Sequence, residues 1–316
     1  MERVYARIPP AAPRPPRAVR LAYRLFGSAL VPLTWLVAHG LGTPGLWFHP
    51  ICTRVGLKTL FGMNESRLEA RWLLHMLFSP MVLTRYFEFE FAWRHLPEGQ
   101  VARYLDVSSP FTFPIVLMSE GRAARADLIN PDKHDLALIE QHIAACGLSA
   151  RCAAHGCLIE DAPFADETFD LITSISVVEH IPRDREAIGK MWALLKPGGR
   201  MIITVPCAAR GYALYTNVDH YGLLGSDEQG YTFLEYLYDE PMLDEHIYSV
   251  TGRPAHCALY GEKRDGILRA ELLRRWSGEY WRFWREPVWM GRNFRRFEAI
   301  AQLPGEGVIG LVFVKP

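Results

Sequence analysis

The 316-residue chain has no excess charge of either sign, because 35 lysines and arginines balance 35 aspartates and glutamates. It therefore lacks the global field that draws a protein to nucleic acid or to an acidic partner. Its six cysteines include no Cys-x-x-Cys pair and no cluster with the spacing of a zinc site. We expect free thiols in a reducing, cytoplasmic compartment. Disorder is excluded by the hydrophobic fraction of 49%, which is sufficient for a large core.

Formal charge is also missing between Arg24 and Arg54, histidines aside, whereas the residues before this stretch are rich in arginine. Residues 25–42 approach the length of a membrane span, but Pro32 and several glycines and prolines interrupt or follow them. Two interpretations stay open. Residues 1–61 contact a membrane, by a span or by an interfacial anchor on its cytoplasmic face, or they form a helical lid on the body.

From Gly99 onward, short apolar runs alternate with segments of helical periodicity, which is typical of a parallel sheet covered on both faces. Helices are expected to begin near Pro110, at Pro131 and at Pro182, because proline suits the first helical turn. The predicted strands are 101–107, 123–128, 150–154, 169–177, 201–205, 257–260 and 308–314.

Acidic residues follow successive predicted strands: Asp106, Asp127, Asp161 and Glu179. Ligands of an open parallel sheet bind outside the carboxyl ends of the strands, where the strand order reverses. Asp127, at the end of the second strand, is placed to accept two hydrogen bonds from a ribose diol. The pattern therefore predicts a nucleotide-like cofactor at this edge.

Several segments resemble class I S-adenosylmethionine-dependent methyltransferases of the type 11-like group. They are Leu105-Asp106-Val107, Asp127, the run from Pro163 to Ile172, Val177-Val178-Glu179-His180-Ile181 and Leu195-Lys196-Pro197-Gly198-Gly199-Arg200. The resemblance covers residues 80–210 and is weaker beyond them. It implies an α/β, Rossmann-like, doubly wound sheet of seven strands, mostly parallel with an antiparallel final pair, and S-adenosyl-L-methionine as the cofactor.

The loop after the first strand departs from that family, which usually has three glycines spaced by two. Here Ser108, Pro110 and Thr112 stand in those positions. Glycine allows the backbone to approach a cofactor closely, and proline removes an N–H donor. We interpret Ser108-Ser109-Pro110 as a variant loop whose serine hydroxyl binds the cofactor carboxylate. A degenerate site is the alternative.

The resemblance gives roles to the residues around this loop. Asp106 orients the loop and the methionine ammonium, Asp127 holds the ribose, and Glu160-Asp161 lies on the adenine side, although the family's usual acid aligns with Leu158. The residues 85–89 resemble a helix that covers the cofactor, and packing in the core is the alternative. The predicted cofactor-binding residues are Asp106, Ser108, Ser109, Asp127, Leu128, Glu160, Asp161, Ser176 and Glu179.

Methyl transfer is an in-line substitution, so an enzyme mainly aligns the reactants, and an oxygen acceptor also benefits from a base. His180, just past the fourth strand, is the first candidate base; its structural alternative is a helix-start histidine bonded to Glu179. His220 is the second candidate and lies in a tyrosine-rich insertion over 211–238, which is expected to build the acceptor pocket or, alternatively, to be a packed hairpin. Some quinone-type relatives bind a divalent metal through the Glu-His pair and further acids. Ser176 replaces one of those acids, so no metal is predicted.

The sequence thus predicts a methyltransferase acting on oxygen of a saccharide, a lipid-linked glycan or a specialised metabolite, in the cytoplasm or on the inner face of the membrane. The predicted domains are an extension (1–61), a helical lid (62–98) and a methyltransferase domain (99–316). A non-catalytic scaffold on the same fold, serving as a partner subunit, is the main alternative. A nicotinamide dehydrogenase is disfavoured because the chain has no Gly-x-Gly-x-x-Gly loop.

Overall fold

The structure is a computed structural model that describes residues 2–10, 12–13, 15–62, 68–219, 222, 224–276 and 283–316. In chain order its strands are β1 (Glu2–Ala6), β2 (Val101–Val107), β3 (Ala123–Ile129), β4 (Cys152–His155), β5 (Phe169–Ile175), β6 (Leu195–Ala208), β7 (Tyr212–Thr216), β8 (Thr232–Leu237), β9 (His256–Glu262), β10 (Phe294–Phe297) and β11 (Glu306–Val314).

Four helices lie between β1 and β2, and the others lie between later strands. The helices are α1 (Arg17–Gly40), α2 (Phe48–Phe61), α3 (Ala70–Phe78), α4 (Arg85–Arg94), α5 (Thr112–Ser119), α6 (Lys133–Ala145), α7 (Asp184–Leu194), α8 (Glu240–Met242), α9 (Ser249–Thr251), α10 (Ile267–Trp276) and α11 (Glu286–Asn293). A 3-10 turn at Val178–His180 follows β5, and a π-helical segment at Leu243–Tyr248 joins α8 to α9.

The main sheet has the strand order β10-β9-β11-β6-β5-β2-β3-β4. Strands β4, β3, β2, β5 and β6 are parallel, and β11 lies antiparallel between β6 and β9. The predicted doubly wound sheet and its antiparallel final pair are confirmed. The sheet has eight strands rather than seven, because β10, a four-residue edge strand, adds antiparallel to β9. The strand order reverses between β2 and β5, so a ligand site is expected at their carboxyl ends.

Two hydrophobic clusters cover the faces of the main sheet. One contains residues from α2, α4, α5 and α6, and the other contains the apolar residues of α7. Strand β5 is buried over nearly its whole length, as expected of a central strand with an apolar sequence. Residues 86–92 of α4 are all buried. The segment predicted as a lid over 62–98 is therefore in part a layer of the body.

The amino-terminal region divides at the loop between α1 and α2. Phe48, Cys52 and Val55 of α2 belong to the same core cluster as α5, so α2 is part of the body although it lies inside the predicted extension. Helix α1 lies against α11 and the 3-10 turn Phe283–Arg285. Gly27 allows this approach, because a Cβ there would lie 2.1 Å from a ring carbon of Trp284.

A second, three-stranded sheet in the order β1-β7-β8 lies outside the main one. Strands β7 and β8 form an antiparallel hairpin within the predicted insertion 211–238, and β1 adds in parallel to β7. β8 packs on the 3-10 turn after β5. The small sheet therefore lies beside the carboxyl end of β5, where the acceptor side of the predicted site is expected.

Candidate active site

Asp106 at the end of β2 is buried under the first loop. Its Oδ2 accepts a hydrogen bond from the Ser109 N–H (3.0 Å), and its Oδ1 accepts from Thr173 Oγ1 (2.7 Å) and the Tyr104 hydroxyl (3.0 Å). Burial raises the pKa of Asp106 to about 6, although these hydrogen bonds oppose the shift. The carboxyl group thus fixes the turn of the loop, which is part of its predicted role.

Ser108 has φ of 51°, in the left-handed region where glycine is favoured. The variant loop therefore contains a left-handed turn at its first serine, a conformation that is uncommon for residues other than glycine. The Ser108 hydroxyl donates to the Ile129 carbonyl (3.0 Å), and Ser109 Oγ accepts from the Ile175 N–H (3.0 Å). Both hydroxyls tie neighbouring strand ends together, whereas the sequence predicted that a serine hydroxyl binds a cofactor carboxylate.

Asp127 of β3 already has two donors. Arg103 Nη2 donates to its Oδ2 (2.8 Å), and His155 Nε2 donates to its Oδ1 (2.9 Å). A carboxylate has about four lone-pair sites, so about two acceptor positions are left for a ribose diol. Sequence reasoning missed both partners. Leu128 is 1% exposed and packs in the core, so its side chain is not accessible to a ligand.

The loop after β4 forms the predicted adenine side. Asp161 and Leu158 are exposed, and Glu160 is half-buried. Glu160 Oε2 is inaccessible to solvent and has no hydrogen-bond partner among the described residues. An orphaned buried carboxylate oxygen is uncommon and requires a donor. Of the two predicted acids, Glu160 is thus the better placed to accept from an adenine amino group.

Ser176, in the left-handed region at the end of β5, is tied to α4. Its hydroxyl donates to Glu88 and accepts from Arg85 Nη1. Arg85 also pairs with Glu88, which is fully buried and accepts from Thr204 Oγ1 at 2.9 Å. The residues 85–89 were predicted either to cover the cofactor or to pack in the core. Residues 86–89 pack in the core, and the Arg85–Glu88 ion pair lies beside Ser176.

Glu179 and His180 lie in the turn after β5, opposite β8. Glu179 is 1% exposed, and its Oε2 has no hydrogen-bond partner among the described residues. His180 Nε2 is 3.9 Å from Glu179 Oε1, too far for a hydrogen bond. The Nδ1–H of His180 instead donates to the Leu234 carbonyl of β8 at 2.7 Å. His180 is therefore hydrogen-bonded to the hairpin and not to Glu179, the partner expected in the structural alternative.

Glu235 of β8 completes this group, and nothing in the sequence pointed to it. One ligand atom from each of Glu179, His180 and Glu235 lies within 4.8 Å of the others. Burial raises the pKa of Glu179 well above its ordinary value and that of Glu235 to about 7, and the negative charge of Glu306 adds to the second shift.

The tyrosine-rich insertion is less open than predicted. The buried Tyr238 donates to Asp184 (2.6 Å), and Tyr236 donates to the Pro182 carbonyl (3.1 Å). These two tyrosines pack the hairpin onto the body, as in the packing alternative. His220, the second candidate base, lies outside the described residues.

Part of the chain is similar in sequence to known methyltransferases. Residues 112–203, from the start of α5 into β6, match the family described as "Methyltransferase domain". Over 85 residues the chain is 31% identical to the ubiquinone/menaquinone biosynthesis C-methyltransferase UbiE of Geotalea daltonii, covering 27% of this chain and 36% of that protein. Over 61 residues it is 36% identical to a demethylmenaquinone methyltransferase of Clavibacter sepedonicus, covering 17% and 25%.

The chain thus matches only about a quarter to a third of the length of these relatives. The crystal structure of MccD protein superposes with a TM-score of 0.50 at 14% identity, covering 75% of this chain and 99% of that one. At such identity the likeness concerns the fold. Residues 112–203 of the chain therefore match a methyltransferase domain, within a sheet whose fold resembles that of MccD protein.

Proposed function

We propose that this protein transfers a methyl group from S-adenosyl-L-methionine to a small-molecule acceptor. The observation that carries the proposal is the left-handed turn at Ser108, held by the buried Asp106 where the strand order reverses. This turn lets the backbone approach a ligand as the family's glycine does. Asp127 of the neighbouring strand lies on the same edge of the sheet.

The side chains at this edge fit the cofactor. The backbone of residues 108–110 would take the methionine part, Asp127 the ribose hydroxyls, and the orphaned Glu160 Oε2 the adenine amino group. The cofactor supplies an electrophilic methyl group when bound. Because the reaction is an in-line substitution, the protein's main task is to align the acceptor with that group.

The acceptor side of the proposed site is the group formed by Glu179, His180 and Glu235. These side chains accept hydrogen bonds, so they suit an acceptor that presents hydroxyl groups, such as a saccharide or a specialised metabolite. One relative is named a C-methyltransferase, and carbon is therefore the alternative site of methylation. His180 is held toward the acceptor by its bond to Leu234.

A lipid-linked acceptor is supported by α1. By length and composition this helix is able to cross a membrane, and only 11% of its most apolar window is buried. Leu25, Leu33 and Leu36 are each more than half exposed, and Arg17 and Arg24 are exposed near the amino end. An apolar helix preceded by arginines suits an anionic membrane surface. We place the protein in the cytoplasm, with α1 on the inner face of the membrane.

Full-length protein is therefore expected to float with anionic liposomes, and the triple variant Leu25→Glu/Leu33→Glu/Leu36→Glu is expected to stay at the bottom of the gradient. Burying one leucine contributes about 1.5–3 kcal/mol, so three charges on this face remove most of the affinity. Val218→Glu, at another exposed apolar residue, serves as the control. If wild type and triple variant float alike, or neither floats, α1 is a lid and not an anchor.

The proposed activity is tested by calorimetry with S-adenosylhomocysteine, which needs no knowledge of the acceptor. We expect one molecule to bind per chain and NADH to give no heat. The scaffold alternative is favoured by the paired oxygens of Asp127 and by the internal bonds of Ser108 and Ser109. It predicts that neither ligand binds.

A further inference from the structure

Three side chains with metal-ligating atoms converge from two distant parts of the chain. Glu179 and His180 follow β5, and Glu235 lies on β8, in the hairpin that packs on that turn. One oxygen or nitrogen from each lies within 4.8 Å of the other two. Two ligands of one divalent ion lie no more than about 4.4 Å apart, twice a bond of about 2.2 Å, so small side-chain movements would bring all three groups onto a single ion.

Glu179 gives independent support. The side chain is 1% exposed, and its Oε2 has no hydrogen-bond partner among the described residues. A buried carboxylate without a partner is costly, and a second carboxylate nearby, that of Glu235, adds to the cost. Burial raises the pKa of Glu179 more than the positive charge of Arg85 lowers it, and the Arg85 guanidinium donates to Glu88 and Ser176. A bound cation would satisfy the Glu179 oxygen and offset both negative charges.

The imidazole of His180 is oriented as a ligand requires. Its Nδ1–H donates to the Leu234 carbonyl, so Nε2 carries the lone pair and faces Glu179. Histidine ligands of metals characteristically donate their other ring N–H to a carbonyl or carboxylate, which fixes the tautomer. Leu234 directly precedes Glu235, so β8 would both orient the imidazole and supply the third ligand.

We propose that Glu179, His180 and Glu235 bind a divalent cation, Mn²⁺ or Zn²⁺, at the acceptor side of the site. Two carboxylates and one imidazole suit these ions, and three protein ligands leave coordination positions for water or an acceptor oxygen. The sequence predicted no metal because Ser176 replaces an expected acid; Glu235 supplies an acid from a different strand. In the ion-bound protein, His180 Nε2 is a ligand and not a base.

The test uses full-length protein freed of metal with a chelator and then titrated with Mn²⁺, with the free ion measured by electron paramagnetic resonance. Zn²⁺ is measured in parallel by competition with a coloured chelator. We expect one ion per chain. Glu235→Gln and Glu179→Gln should each weaken binding by roughly tenfold or more, because even the outer partners of metal ligands contribute tenfold to a hundredfold. Glu228→Gln, at an exposed acid on the same hairpin loop, should bind as wild type does.

Absence of binding of both ions to the wild type, or equal binding by wild type and both variants, would overturn the proposal. Circular dichroism shows whether a variant is folded. If Glu179→Gln unfolds, ion binding by Glu235→Gln alone tests the proposal. Glu235 is half-buried and glutamine has the same shape, so this variant is expected to fold. Calorimetry with S-adenosylhomocysteine on the same samples separates this proposal from the proposed function. If the protein binds S-adenosylhomocysteine but neither metal ion, only the proposed cation site is overturned. If it binds an ion but not S-adenosylhomocysteine, only the proposed methyltransferase activity is overturned.

Discussion

Replacing His180 by alanine is expected to slow methyl transfer strongly and to leave binding of S-adenosylhomocysteine close to wild type. His180 lies on the acceptor side, bonded to Leu234, and the predicted cofactor contacts lie at Asp106, Ser109 and Asp127. Losing a general base lowers a rate by roughly a hundredfold to ten-thousandfold. If His180 is instead a ligand of the proposed cation, its loss also slows methyl transfer and leaves cofactor binding unchanged. Both roles of His180 therefore predict the same result.

The rate is measured as transfer of a radiolabelled methyl group from S-adenosylmethionine to small molecules in a protein-free cell extract. His134→Ala, at an exposed histidine of α6, is the control and should be fully active. Full activity of both His180→Ala and His220→Ala would show that alignment alone supports catalysis. If His180→Ala is active and His220→Ala is not, the acceptor-side residue belongs to the insertion. If His180→Ala unfolds, the hydrogen bond from His180 to the Leu234 carbonyl has a purely structural role.

Asp127→Ala is expected to weaken binding of S-adenosylhomocysteine by roughly tenfold to a hundredfold, equal to about 1.5–3 kcal/mol for hydrogen bonds to a charged group. The same change removes the contacts of Asp127 with Arg103 and His155. Arg103 is 37% exposed, and a pair of this kind contributes only about 0–1 kcal/mol to stability. The melting temperature without ligand should therefore change little. Calorimetry and thermal unfolding measure the two effects.

Arg103→Met distinguishes a direct contact from an indirect one. It removes the donor to Asp127 Oδ2 and leaves the carboxylate in place. If Asp127 contacts the ribose, Arg103→Met binds S-adenosylhomocysteine at least as well as wild type. If the ion pair only shapes the site, Arg103→Met loses as much affinity as Asp127→Ala. Asp166→Ala, at an exposed acid in the loop before β5, should have no effect. Unchanged affinity in Asp127→Ala would remove this residue from the site.

Most of the main sheet was predictable because its central strands are apolar runs of ordinary length. The bounds of β2 agree with the prediction at both ends, and β5 is two residues shorter than predicted. The missed strands have weaker local signals. β10 is only four residues long and contains two arginines, and β1 depends on pairing with β7, as in Glu2 with Tyr212. Pairing between such distant residues leaves no periodic pattern in either segment.

The residues of the candidate site also fall into those that local sequence indicated and those that depend on distant pairing. The resemblance pointed to the local segment that contains Asp106 and Ser108, but it predicted neither the left-handed turn nor the burial of Asp106. The donors to Asp127 come from two other strands, so they became apparent only with the strand register. Glu235 joins Glu179 through the packing of the hairpin on the turn after β5. No spacing rule connects residues that far apart in sequence.

A crystal structure of the full-length protein with S-adenosylhomocysteine tests the central claim most directly. We expect the ribose hydroxyls to be within hydrogen-bonding distance of Asp127, the methionine part to run along residues 108–110, and the adenine to reach Glu160. The sulfur should face the side of Glu179 and His180. Density for the ligand elsewhere on the protein, or none at saturating concentration, would contradict the assignment of this edge of the sheet as the cofactor site.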